Sequence, residues 1–338
     1  MSSEADSTSW REVKTDGEDA RFERHAQVLL GVQKASAHED KLSRALHAKA
    51  HVGVSATLTV LDDLPERARH GLFAKPGTHR AWVRFSNGAP RRQNDRAPDA
   101  RGIAIKVGDV DGTKVIPGLE HARTQDFLAI RTPATPFRDA DEFVAFVAAA
   151  GKPALLPVKL AVSVGPLRAF AILRALIASM KRRDTSMATV PFFSAAAISC
   201  GPHAVRFAIV PVDRAAEAAA PDGDNDRDHY AKDLIRRVQQ GPLDYELRLQ
   251  FFRDEATTPI EDHSVEWDTP FVAVARLSIP QQDPESDAGR RLGEQIESFS
   301  FDPWHALVEH RPLGNFMRAR NLAYRASTQA RGAAAEPE

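Results

Sequence analysis

The sequence almost lacks cysteine. Cys200 is the only one in 338 residues, which excludes an intramolecular disulfide framework and leaves no second thiolate for a zinc or iron–sulfur site. A reducing, cytoplasmic home is the expectation. An excess of either charge is missing as well: 45 Lys and Arg stand against 46 Asp and Glu, so composition gives no support to nucleic acid or any other polyanion as a partner. The first residues, MSSEADSTSWREVKTDGEDA, have no basic-then-apolar order, so they read as neither a secretory signal nor a transit peptide. Residues 1–24 are expected to form a flexible lead. No run reaches the roughly 20 apolar residues of a transmembrane segment. The nearest, Pro153 to Met180, is interrupted by Lys159, Pro166, Arg168 and Arg174. Within it Leu167, Phe170, Leu173, Leu176, Ile177 and Met180 recur at helical spacing. That pattern predicts an amphipathic helix facing the core or a subunit neighbour, with a membrane-surface or lipid-entry role as the alternative. There is no internal repeat, no Gly/Ser linker and no G-x-G-x-x-G.

What is present suits a soluble globular fold: 43% hydrophobic and 27% charged residues, in a chain long enough to enclose a cofactor. From Val52, the residues Val52, Val54, Ala56, Leu58 and Val60 alternate with smaller or polar partners, the period of a half-buried strand. Trp82–Ser86, Ile103–Val107, Val205–Val210, Tyr245–Phe251 and Phe271–Ile279 read the same way. The six strands are separated by turn-rich segments such as SNGAP and PDGDND, which favours an antiparallel sheet or barrel over a doubly wound parallel sheet. Helices are expected at Ala140–Ala150, Pro166–Arg182, Asp228–Gln239 and from about Asn315. The class is α+β, an antiparallel β-barrel core surrounded by α-helices, as one domain over residues 25–332 with a disordered tail at 333–338.

The last helix carries a geometric argument. Arg320 and Tyr324 are four residues apart and Arg331 lies seven beyond the tyrosine, so all three fall on one stripe. An arginine beside a phenol hydroxyl stabilises the phenolate, and tyrosinate is one of the few protein ligands that hold haem iron. Alone, R-x-x-x-Y also describes a solvated helix face with a half-buried tyrosine. Of the three tyrosines, Tyr245 sits in a strand alternation and Tyr230 in a polar segment; only Tyr324 has an arginine four residues before it.

RALHAKAHVGVSATLTV then places His47 just ahead of the first strand with Arg44 upstream. This segment resembles the distal histidine region of catalases. WVRFSNGAP is similar to the catalase V-R-F-S element, DARGIAIKV to its R-G-F-A-V-K strand, and FDPWHAL with MRARNLAYRASTQAR to its proximal F-D-P and R-x-x-x-Y elements. The likeness covers roughly residues 40 to 332 in the family's order, and the chain is identified as a member of the catalase superfamily, as a small, minimal form of it.

That resemblance implies haem b, iron protoporphyrin IX, with His47 as the distal acid–base group, Ser86 setting its tautomer and Tyr324 as the iron ligand supported by Arg320. Arg44, Arg84 and Arg331 would meet the propionates, and Phe85 and Phe137 would pack on the porphyrin or belong to the ordinary core. His47 with His51 mimics a two-histidine zinc face, but no glutamate adjoins them and a strand starts at Val52. The pattern departs from catalases where a distal asparagine is expected: in HARTQDFLAIR the place falls to Arg123, Thr124 or Gln125, of which Gln125 offers an amide. This puts efficient disproportionation of hydrogen peroxide in doubt and leaves peroxidase chemistry. The chain is also short, so a shorter apolar channel would admit organic or fatty-acyl hydroperoxides, and NADPH is not expected. A homo-oligomer, an external electron donor and a part in the oxidative stress response complete the expectation. Rearrangement of fatty-acid hydroperoxides, as in the catalase-like allene oxide synthases, is the neighbouring reading; those enzymes carry a threonine before the distal histidine, where this chain has Leu46. A haem-binding protein that turns nothing over is a third.

Overall fold

The computed structural model describes residues 7–37, 42–180, 185–213 and 227–337. The six expected strands are all present: β1 (Ala50–Val60), β2 (Gly77–Asn87), β3 (Arg101–Val107), β7 (His203–Pro211), β8 (Leu243–Phe251) and β9 (Phe271–Ile279). Three more lie between them, β4 (Gln125–Ile130), β5 (Phe192–Phe193) and β6 (Ile198–Cys200). All neighbours pair antiparallel. Two-residue β5 bonds to β4 on one side and to β7 on the other, which closes a ring of eight strands in the order β1-β2-β3-β4-β5-β7-β8-β9, with β6 attached outside it to β7. Closure matters because it leaves the ring no open edge.

Alternation fills the barrel. Val54, Leu58, Val83, Phe85, Ile105 and Phe127 point inward, to meet Phe207, Tyr245, Leu247 and Leu277 from the far side. The Tyr245 hydroxyl donates to the Ala188 carbonyl at 3.0 Å, and burial pushes its pKa up, so this tyrosine is a neutral core residue. Phe85 lies in the same interior, 6.2 Å from Phe192 and 6.5 Å from Tyr245 between ring centroids. The expectation that it might stack on a porphyrin is corrected: the strand's period of two turns Phe85 inward and sends its neighbours outward.

Helices collect on the outer face. They are α1 (Glu18–Ala35), α2 (Ala140–Ala150), α3 (Leu156–Val164), α4 (Pro166–Met180), α5 (His229–Gln240), α6 (Asp287–Ser298) and α7 (Asn315–Arg331). Asp139 caps α2 by accepting from Glu142 N at 2.9 Å, and Glu142 in turn accepts from Arg138 N and holds Arg168 of α4. Ser286 caps α6, whose Ile296 packs onto Gly53 of β1; a Cβ there would come within 3.1 Å of Ile296. α6 was missed because its apolar residues within the helix are few, chiefly Leu292 and Ile296, among two glycines and five charges.

Two expectations about the ends are overturned. Residues 7–24 are not a loose lead: the Trp10 indole donates to Pro202 O at 2.9 Å, Glu12 and Glu18 both pair with Arg318, and α1 begins at Glu18. Phe22, Ala26 and Leu29 then bury against α2 and α7 at spacings of four and three, a signal hidden by the charged residues between them. The tail from 333 is not disordered through its described length either, since Glu336 accepts from buried Lys106 at 2.6 Å and from Thr124 at 2.8 Å. The PDGDND turn and the last two residues of the expected helix Pro166–Arg182 lie outside the described residues.

Because Phe85 is a core residue, Phe85→Ala is expected to lower the unfolding free energy by about 3–5 kcal/mol, the usual cost of deleting a buried phenyl ring. Equilibrium denaturation of the apoprotein checks this; a change within about 0.5 kcal/mol would mean the ring is not packed as described.

Candidate functional site

His47 sits on the loop entering β1 in a left-handed backbone conformation, φ 57°, which is unusual for a residue other than glycine. Its surroundings impose it: His47 N donates to Gly88 O at 2.9 Å and Ala48 N to Ala89 O at 3.1 Å, locking the loop to the end of β2. The result turns the imidazole across the outer face of the barrel. There Ser86 Oγ lies 3.1 Å from Nδ1. The ring rests on Gly102 of β3, where an added Cβ would fall 2.7 Å from His47 Cε1, so a side chain at that position would push the imidazole out of place. His51 goes elsewhere, with Nε2 against Asn87 Oδ1 at 2.9 Å and Asp95 nearby, so the two histidines do not share a face.

The cavity that His47 faces has a volume of about 1920 Å³ and is lined by the barrel's outer face and by α1, α2, α4 and α7. Tyr324 lines it too. Arg320 Nη2 donates to the Tyr324 hydroxyl at 2.7 Å while its guanidinium carbon lies 4.9 Å from the ring centroid, so one arginine both bonds and stacks on the phenol. Arg320 is also among the cations that act on His47. Burial first, then Arg84, Arg320 and Arg44, lower the His47 pKa to about 3, which keeps the imidazole neutral across the physiological range.

Arg44, Arg84 and Arg331 meet at the end of α6. Arg44 holds the Glu297 carboxylate and the Phe299 carbonyl, the latter at 2.8 Å; Arg84 donates to Glu297 Oε2 at 2.7 Å and to His47 O at 2.9 Å; Arg331 donates to Phe299 O at 2.8 Å. Three guanidiniums against one carboxylate leave two positive charges without an ionic partner in this group. Burial and the neighbouring Arg84 hold the Arg44 pKa well below its ordinary value, with Glu297 acting in the opposite sense. A dianionic ligand fits that excess. Glu297 shows the converse: burial alone would raise its pKa, but Arg84 and Arg44 outweigh that and hold it below the usual range.

The structure brings His47, Ser86, Arg44, Arg84, Phe137, Arg320, Tyr324 and Arg331 onto one cavity. Phe137 contributes apolar wall, with Phe143 edge-on to its ring and Phe146 tilted against it. Gln125 does not belong there. It is buried at the far end of β4, opposite Val107, and its side-chain oxygen accepts from Leu307 N at 3.2 Å, so the expected distal amide is corrected. Thr124 is committed to Glu336 and Arg123 to Asp111. Among the described residues the one side-chain amide lining the cavity is that of Gln93, which donates to Asp99 at 3.0 Å. Nothing in a single sequence singled it out. His263, buried beside Phe316 and held neutral by burial with a pKa near 3, also lines the cavity and was missed for the same reason.

A closed eight-stranded antiparallel barrel with this pocket on its outer face is the catalase fold. A fungal catalase structure superposes with a TM-score of 0.66 at 20% identity over 87% of this chain and 60% of that one. Catalase A from Saccharomyces cerevisiae gives 0.66 at 18% identity over 87% and 62%, and a bacterial catalase 0.65 at 19% over 98% and 64%. The chain thus spans about three fifths of the length of these catalases. No protein-family model matches the chain. A catalase-related peroxidase from Mycolicibacterium paratuberculosis is 28% identical over 296 residues, covering 85% of this chain and 88% of that protein. The chain thus has the catalase fold and is similar in sequence to a catalase-related peroxidase.

The His47 pKa has a measurable consequence. Between about pH 3 and the unfolded value near 6.5 the unfolded chain binds the proton and the folded one does not. The contribution of this residue to stability is therefore complete above about pH 6.5 and is lost as the pH falls toward 3. Nitrogen NMR of histidine-labelled apoprotein should show the His47 ring neutral at pH 5; a midpoint near 6.5 would contradict the placement.

Proposed function

We propose that this protein is a haem-dependent hydroperoxidase that cleaves hydrogen peroxide and organic, including fatty-acyl, hydroperoxides by peroxidase chemistry with some catalase activity. The observation that carries this reading is a single cavity that holds a neutral histidine fixed by a serine and a tyrosine fixed by an arginine. Tyr324 would ligate the iron, Arg320 would stabilise its phenolate oxygen, and Arg44, Arg84 and Arg331 would hold the two propionates of haem b, supplying the excess of two positive charges noted above. When bound, the haem supplies the two-electron reduction of the peroxide O–O bond.

The chain's own residues manage protons and position. With Nδ1 protonated and donating to Ser86 Oγ, His47 turns the lone pair of Nε2 to the cavity and accepts the proton of the inner peroxide oxygen. The same imidazolium then returns it to the departing oxygen, which leaves as alcohol or water. Two electrons and two protons from an external donor complete ROOH + 2e⁻ + 2H⁺ → ROH + H₂O. A pKa near 3 leaves the base free at every physiological pH and makes the second half favourable, because the imidazolium is a strong acid, at the cost of a weaker base in the first half. Leu29, Val144, Val147, Leu173 and Leu176 make one side of the cavity apolar. This favours organic hydroperoxides alongside hydrogen peroxide. Leu46 immediately before His47 gives the rearrangement reading no hydroxyl to work with.

Haem-loaded protein given cumene hydroperoxide and a chromogenic donor should oxidise the donor, and His47→Ala should lose more than 100-fold in the rate of peroxide cleavage, as positioned acid–base groups contribute about 10²–10⁴. Retention of most of the rate by the variant would remove His47 from its role. Loss of a polyunsaturated fatty-acid hydroperoxide with no donor oxidation would replace the proposal with rearrangement, and no turnover of any peroxide would replace it with haem binding alone.

A further inference from the structure

Helices α3 and α4 form a hairpin turned by Gly165, φ 85°, and stand against the cavity. The inner side of the hairpin is accounted for: Leu160, Ala169 and Ile172 bury against Phe137, and Leu156, Leu173 and Leu176 line the cavity. Its outer side is not. Leu155, Val158 and Val162 run along one face of α3 and the turn before it, and Leu167, Phe170 and Ile177 along one face of α4, with Val162 83%, Leu167 87% and Phe170 67% exposed. These six are more than half of the eleven large hydrophobic residues exposed among the described residues, so the apolar surface is concentrated here.

The charged residues of the hairpin have one sign. From Gly151 to Met180 the sequence carries four Lys and Arg and no Asp or Glu, in a chain whose net charge is −1. Arg168 is paired with Glu142, while Lys152, Lys159 and Arg174 are exposed. Among the described residues no helix is long and apolar enough to cross a membrane. An apolar stripe flanked by cations, on helices too short to span, matches the boundary between acyl chains and anionic headgroups. A second copy of the chain would present the same cations to these, and in a two-fold contact like charges would face each other.

We propose that the outer face of the α3–α4 hairpin docks the protein on an anionic lipid bilayer and that the hairpin leads lipid-borne hydroperoxides into the cavity. The first half stands on the surface alone; the second rests on the hydroperoxidase reading. Ile177 links them, being 55% exposed and also part of the cavity lining. It marks a rim at which an acyl chain leaving the bilayer meets Leu173 and Leu176.

The experiment is sedimentation of haem-loaded protein with vesicles. Vesicles of phosphatidylglycerol mixed with phosphatidylcholine should carry the protein down, less so as salt rises, and pure phosphatidylcholine should bind it weakly. The double variant Leu167→Glu with Phe170→Glu, at exposed positions outside the cavity lining, should lower the bound fraction more than tenfold with its haem spectrum and its turnover of water-soluble tert-butyl hydroperoxide unchanged. Wild-type protein left in the supernatant with anionic vesicles, or a double variant that binds as well as wild type, overturns docking. Loss of self-association in the variant, by light scattering, without vesicle binding by the wild type would assign the face to a second copy and likewise overturns it. For delivery, phospholipid hydroperoxide carried in the anionic vesicles should be consumed more than tenfold faster by wild type than by the double variant, and equal rates overturn that half. A protein inactive on tert-butyl hydroperoxide but still bound to vesicles would instead mark failure of the hydroperoxidase reading.

Discussion

Strand β2 turns Phe85 into the barrel and its neighbours Arg84 and Ser86 out of it, and the candidate site depends on that single pleat. A slip of one residue would bury a guanidinium and a hydroxyl among aliphatic side chains and expose a phenyl ring. The register is secured from both sides, since Phe85 pairs across from Val52 of β1 and from Ile103 of β3, and all three are apolar and buried. The same pairing sets Ser86 beside Gly102, which is where the His47 ring lies. Core packing inside the barrel therefore orients the groups outside it.

Electrostatics outside the barrel follows from what is buried there. Eight arginines and two aspartates are among the cavity-lining residues. Burial first and this positive field second keep His47 neutral, and the field favours anionic groups in the cavity. Further along the same outer face, Lys106 is fully buried and is kept charged by Asp126 at 2.7 Å and Glu336 at 2.6 Å, against the cost of removing it from water. That pair of carboxylates closes the field on the side of the tail, so the uncompensated cations are those around the α6 terminus.

The strands that were legible in the sequence are those whose inward residues are apolar and whose outward residues are small or polar. β4 was harder because Gln125 and Asp126 are both buried, and Asp126 is tolerated only through Lys106, twenty residues earlier. α1 and α6 hide behind charged residues whose partners, such as Arg318 for Glu18, lie some 300 positions away. In the site, Arg320 and Tyr324 could be paired from helical spacing because both belong to one turn-and-a-bit of α7. His47 and Ser86 could be joined to them only through likeness to catalases, since no local pattern ties residue 47 to residue 324. Gln125 and Phe85 were considered through likeness to catalases, and spacing along a strand does not say which face meets the cavity until the register is known; Phe85 takes the core alternative that the sequence left open.

Resonance Raman spectroscopy of the haem-loaded protein tests the central arrangement most directly. The account predicts iron–phenolate modes in the wild-type protein that disappear in Tyr324→Phe while the His47 side of the site stays intact. A wild-type spectrum without phenolate modes, or one unchanged by the substitution, would contradict it.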